Sequence, residues 1–134
     1  MLWIRCAYML SAACGIAAGL AVLVLGDSLF ERFAISPPVY SAYYELPAFM
    51  MIIFGVLLAQ IAWDPVKQRR LMIYAMALKA STAGLFIYHF FVSGIPGILI
   101  PFAFAEMAFL VLFACAYVAT GERNAEAHGA GVWG

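Results

Sequence analysis

The sequence predicts an all-α membrane protein: an antiparallel four-helix transmembrane bundle with a short interfacial helix in the first outer loop. Three observations predict it. Of 134 residues, 67% are hydrophobic and 10% charged, whereas soluble domains average about 45–50% and about 25%. A water-soluble fold of this size has too little interior to hide so much apolar surface. The apolar residues also fall into four continuous runs, each close to the length that crosses a hydrocarbon core about 30 Å thick at about 1.5 Å per helical residue. Finally, the runs do not alternate apolar with polar, and a spanning barrel needs at least about eight strands.

The first run covers residues 2–25. One early cation, Arg5, precedes a stretch that stays apolar from residue 6 to residue 26, longer than the roughly 7–15 residues of a signal-peptide core. A retained helix is expected. The second run covers residues 47–63 and opens on Pro47, whose missing N–H is harmless in a first helical turn. The third covers residues 71–92 and is interrupted by Lys79 and His89. The fourth covers residues 98–120 and is interrupted by Glu106. Gly94, Pro96 and Gly97 mark the turn between the last two. Residues 122–134 form a polar, glycine-rich segment, expected to be a mobile tail.

Residues 26–46 are too many for a tight turn. Ser28 with Glu31 three positions later has the form of a capping box. Leu29, Phe30, Phe33 and Ile35 would then lie on the membrane from an interfacial helix, ended by Pro37 and Pro38.

Orientation follows the cations at the span ends and in the loops. Arg5, Lys67, Arg69, Arg70 and Arg123 fall on one side, and Arg32 alone on the other. The two termini and the loop of residues 64–70 (DPVKQRR) are therefore expected in the cytoplasm. Trp3 and Trp63 would mark the inner interface, and Tyr40, Tyr43, Tyr44 and Tyr88 the outer one. Asp64-Pro65 ends the second helix, since a residue before proline leaves the helical region. Lys67, Arg69 and Arg70 would anchor to lipid head groups.

Lipid supplies no hydrophobic drive between helices, so small residues that permit close approach matter. Ser11, Gly15 and Gly19 recur at four-residue spacing in the first span, Gly55 and Ala59 in the second, Ala80 and Gly84 in the third. These stripes fit internal packing, and a GxxxG equally fits a dimer face. Gln60, Ser81 and Thr82 are expected to hydrogen-bond between helices. Cys6, Cys14 and Cys115 form no C-x-x-C and are read as small core residues.

Charges within hydrocarbon are costly and face protein or water. Lys79 and Glu106 each lie about 12 Å deep, from opposite surfaces, so their Cα heights differ by only about 6 Å. A lysine stem spans that gap. The two are predicted to pair inside the bundle, either fixing helix register or forming a ligand, quinone or proton site. His89, Glu45, Tyr43 and Tyr44 share the outer level and form a candidate polar mouth. A lone histidine is no metal site, which takes three or four ligands, so no metal is expected. No G-x-S-x-G, H-E-x-x-H, Walker motif or paired carboxylates are present, so no catalytic residue is assigned. Zero net charge argues against nucleic acid, which calls for a basic patch.

Asp64-Pro65-Val66-Lys67, followed by a third span carrying Lys79, a long proline-containing outer loop and four spans in this length, resembles the DoxX-like group of small bacterial membrane proteins. The resemblance implies a bacterial inner membrane and an accessory role, because several DoxX-type proteins are membrane subunits linked to quinone or sulfur redox chemistry. It transfers no catalytic residue.

Three functional readings follow. The first is a non-catalytic accessory or scaffold subunit of a larger, respiratory or redox, membrane complex. Its partners would be the bilayer and other membrane subunits, or a second copy. The second is binding or transport of a small lipophilic molecule or quinone through Lys79 and Glu106. The third is a membrane-embedded isomerase-type enzyme with Glu106 as acid or base. No cofactor is identifiable from the residues, and a quinone or a lipid is what such a site would accept. A pocket reaching the pair would favour the latter two readings, and a solid bundle with an apolar outer groove the first.

Overall fold

The computed structural model describes residues 1–94 and 97–129, with side chains through residue 122 other than that of Ile98. Pro96 of the expected turn, the Arg123 side chain and residues 130–134 lie outside the described residues. The described chain is helical: α1 (Leu2–Arg32), α2 (Ala42–Trp63), α3 (Arg69–Val92), a 3-10 turn at Gly97–Leu99, and α4 (Ile100–Gly129). All four α-helices are long and apolar enough to cross a membrane, as in a multi-pass membrane protein.

The helix ends differ from the sequence expectation for local reasons. Of the residues expected to form a separate interfacial helix, Leu29 and Phe30 continue α1 instead and Phe33 and Ile35 follow its end, so Ser28 lies inside a running helix and caps nothing. At 31 residues, α1 is about 46 Å long. Its last turns therefore extend past a hydrocarbon core of about 30 Å, where exposed Asp27, Ser28, Glu31 and Arg32 meet water. The helix stops in a Schellman-type turn: Ala34 N–H donates to Glu31 O at 3.2 Å and Ile35 N–H to Phe30 O at 3.0 Å. That geometry places Ala34 at φ 52°, a position usually taken by glycine.

The second helix starts five residues earlier than residue 47. The N–H groups of Tyr44 and Glu45 both reach Ser41 O at 3.0 Å. Pro47 thus sits inside α2 rather than at its first turn, removing one hydrogen bond in a helix that packing sustains. The far end behaves as expected. Asp64 before Pro65 adopts φ −139°, ψ 84°, and its carboxylate accepts the Lys67 N–H at 3.2 Å. At the other end of the molecule, α4 runs on to Gly129, so the first part of the expected tail is helical.

Residues rising along α1 meet residues falling along α2: Ala12 and Ile16 lie against Gly55, Gly19 against Ala48, and Gly26 against Tyr44. The same opposed order relates α3 to α4, through Arg69 with Tyr117, Met72 with Thr120 and Lys79 with Glu106. The molecule is therefore two helical hairpins. Their shared core is Ile4, Tyr8, Ala12, Leu58, Ile61, Ala62, Met72, Ala75, Phe113 and Ala116. All but Phe113, which lies at the middle of α4, come from the half of their helix nearest the Asp64–Pro65 corner and the N-terminus. Tyr8 of α1 stacks on Phe113 of α4, ring centroids 4.0 Å apart and nearly parallel, which ties the two hairpins together at that end.

Candidate functional site

The third and fourth helices each carry one ionisable residue in an apolar run, and the fold brings the two together. Lys79 Nζ donates to Glu106 Oε1 at 2.8 Å, with the side chains only 9% and 12% exposed. They stand 27 positions apart, on either side of the hairpin turn, so the pair joins adjacent helices. Lys79 Nζ also lies 5.2 Å from the Phe109 ring centroid, within cation–π range. Phe109 in turn packs on Phe113 at 6.1 Å. The ammonium is thus held between one carboxylate and one aromatic wall, on the upper edge of the shared core.

Two of the open grooves among the described residues bear on the expected sites. One, about 370 Å³, is lined by Thr82, Leu85, Phe86, His89, Gly94 and Leu99. It follows the Thr82–Phe86–His89 face of α3 and does not include Lys79 or Glu106. The Thr82 hydroxyl at its inner end donates to Leu78 O of its own helix at 2.9 Å, so the groove offers little beyond apolar surface and the exposed imidazole. The other, about 520 Å³, lies between the start of α1 and the end of α2.

The expected outer mouth does not assemble. Tyr44 turns to α1, its hydroxyl donating to Asp27 Oδ1 at 3.4 Å and its ring set edge-on to Phe30 at 5.2 Å. Tyr43 lies edge-on to Tyr40, and His89 lies edge-on to Tyr88 at 5.3 Å. Among the described residues no hydrogen bond links His89 to Glu45, Tyr43 or Tyr44. The reason is that Tyr44 belongs to one hairpin and His89 to the other, and the hairpins meet at the opposite end.

Of the packing glycines, Gly19 and Gly55 sit where α1 and α2 approach closely. A β-carbon on Gly19 would sit 2.6 Å from Ala48 O, and one on Gly55 would sit 2.5 Å from Ile16 Cγ1. Gly15 faces Met51 O at a looser 3.6 Å, and Ser11 is buried. Gly84 is a correction: nothing lies within 4 Å of its β position, because α3 meets α4 through polar and aromatic side chains. Thr82 is another, bonded within its own helix, and Gln60 and Ser81 are exposed. The three cysteines are also exposed rather than core; lipid is as apolar as a protein interior, so an apolar residue need not be buried.

The basic loop separates into distinct roles. Lys67 pairs with Asp64 at 3.3 Å from a side chain 83% exposed. Arg69, expected as a lipid anchor, reaches instead across to α4. Its Nε donates to Tyr117 O at 3.3 Å, and its guanidinium lies 3.9 Å from the Tyr117 ring centroid. Gly121 makes room for it, since a β-carbon there would lie 2.7 Å from Arg69 Nη2. Thr120 adds hydroxyl bonds to Ala116 O and Tyr117 O. The Arg-aromatic-glycine combination was present in the sequence, but only the antiparallel register places residue 69 against residues 117 and 121. Arg70 remains exposed. Among the described residues, no cluster of three or more His, Cys, Asp or Glu side chains could hold a metal ion.

No protein-family model, curated protein or solved structure matches this chain.

Proposed function

We propose that this chain is a non-catalytic accessory or scaffold subunit of a larger membrane complex. In this reading it forms an antiparallel four-helix bundle with both termini cytoplasmic, in the bacterial inner membrane that its resemblance to DoxX-like proteins implies. The observation that carries the proposal is the closure of Lys79 on Glu106 at 2.8 Å. The two costly intramembrane charges satisfy each other, and neither groove is lined by them. A pair arranged this way fixes the register of α3 against α4. The outer halves of the helices carry broad apolar surface, including Phe90, Phe91, Phe102 and Phe104, suited to lipid or to neighbouring membrane helices. The cation distribution that sets the orientation is Arg5, Lys67, Arg69 and Arg70 at one end against Arg32 at the other.

The test is purification of the intact protein from its native membrane in mild detergent, with quantification of co-purifying subunits and an absorption spectrum. A membrane partner in fixed stoichiometry is the expected result. Recovery of the protein alone, with a stoichiometric lipophilic small molecule, overturns the reading. It would favour the second one, in which the groove ending at His89 admits a small lipophile such as a quinone. That groove, about 370 Å³, is the single feature in favour of the second reading.

A further inference from the structure

The larger groove is built from two helix ends, the start of α1 and the end of α2, that the α1–α2 hairpin leaves side by side. Arg5, Cys6 and Met9 line it from the first turns of α1, and Ala62 and Trp63 from the last turn of α2. Its depth runs from the membrane–water boundary inward, because Met9 lies one turn, about 6 Å, below Arg5. Its walls are apolar except at the rim. Arg5 is exposed there, and Trp63 is 82% exposed at the level where indole rings favour the interface.

The cations at this end are differently engaged. Lys67 is bound to Asp64 and Arg69 to Tyr117. The field of Arg5 reaches Asp64 and helps to hold its carboxyl below the usual range, but the larger cause is the Lys67 N–H bonded to it. No ion pair joins Arg5 to any acid among the described residues. A guanidinium that is free to present its planar fork, at the mouth of an apolar groove, matches a phosphate with an acyl chain beneath it.

We infer that this groove binds one anionic phospholipid, its phosphate on Arg5, its glycerol level beside Trp63 and one acyl chain along Met9 and Ala62. A second copy of the chain fits the groove poorly. Docking through the same face about a twofold axis would bring two Arg5 side chains together. A zwitterionic lipid fits less well, because its ammonium offsets the phosphate charge that Arg5 would meet. The inference stands independently of the accessory role proposed above.

The experiment is native mass spectrometry of the full chain in mild detergent, with phosphatidylglycerol and phosphatidylcholine of identical chains added in equal amounts. One retained phosphatidylglycerol is expected, preferred about fivefold, the effect of one cation at a membrane surface. Arg5→Gln should abolish the preference, while Lys67→Gln and Arg70→Gln leave it in place. With Trp3 and Trp133 replaced by Phe, brominated phosphatidylglycerol should quench Trp63 emission more than brominated phosphatidylcholine does. Arg5→Gln should equalise the two. Equal retention of both lipids, a preference that survives Arg5→Gln or is lost on Arg70→Gln, or a dimer in place of a lipid adduct overturns the inference. If Arg5→Gln does not fold, Arg5→Lys and salt decide. Arg5→Lys should keep the preference, and about 1 M salt, which screens charges beyond about 3 Å, should erase it in the native sequence. The opposite result in either arm overturns the site.

Discussion

The two hairpins are held together by different physics. In α1–α2 the backbones approach closely, with Gly19 against Ala48 and Gly55 against Ile16 and Ala12, and the interior of the interface carries no charge. In α3–α4 a β-carbon at position 84 would meet nothing within 4 Å. The helices are joined instead by Lys79 with Glu106 and by Arg69 with Tyr117. Both are solutions to one problem. Helices already in lipid gain little from burying more apolar surface, so they associate through tight van der Waals packing or through polar bonds that hydrocarbon makes valuable. Glycine packing needs a matching surface along its length, whereas a polar lock acts at a point and specifies register.

Breaking the polar lock is the largest expected effect. Lys79→Met or Glu106→Gln alone leaves a buried charge without its partner and should cost about 3–5 kcal/mol, read from unfolding in mixed micelles. The double substitution should recover most of that loss. Single and double variants of equal stability would show that the pair contributes nothing to joining the hairpin. Next in size is the glycine contact of the other hairpin. Gly19→Ala or Gly55→Ala should cost about 1–3 kcal/mol, as overpacking does, because the added carbon meets backbone or a β-branched side chain at 2.5–2.6 Å. Gly84→Ala should be neutral or gain up to about 1 kcal/mol from reduced backbone freedom. An equal penalty at positions 19 and 84 would erase the contrast between the hairpins.

The clamp at the lower end of α3–α4 should be weaker. Arg69→Ala should cost about 1–2 kcal/mol, the range of a partly desolvated cation–π contact. Arg69→Lys should recover only part, since an ammonium lacks the planar fork. The α1–α2 hairpin has a point of strain of comparable size: Ala34→Gly should stabilise by about 1 kcal/mol, because φ 52° is unfavourable for a residue with a β-carbon.

The smallest effect belongs to the corner joining the hairpins. The Lys67 amide holds the Asp64 carboxyl below its ordinary range, with burial opposing and the Lys67 ammonium and Arg5 assisting. A folded pKa lowered in this way contributes stability above the ordinary carboxylate range, lost as pH falls through the folded value. The protection of the Lys67 amide against hydrogen exchange, taken relative to its unstructured rate at each pH, should therefore fall only in acid, and Asp64→Asn should remove that pH dependence.

The four helices, their order and their membrane-spanning length were legible in the composition and in continuous apolar runs, because hydrophobic length is a local property. The end of α2 was also legible, since Pro65 constrains Asp64 directly. Lys79 and Glu106 were identifiable as partners because each is expensive alone in hydrocarbon, and sequential helices are neighbours. Helix starts were harder: Pro47 and Ser28 have the chemistry of helix beginnings, yet both lie inside helices already under way.

What only the tertiary structure decided was which faces meet. An apolar residue in a span carries the same signal whether it faces lipid or protein, so Gly19 and Gly84, or Cys6 and Ala12, could not be told apart locally. Nor could residue order reveal that the hairpins join at one end, separating His89 from Tyr44, or that Arg69 meets Tyr117. Sequence set the length and the chemistry of each helix, while the register and rotation of one helix against another, which no single helix contains, set the contacts.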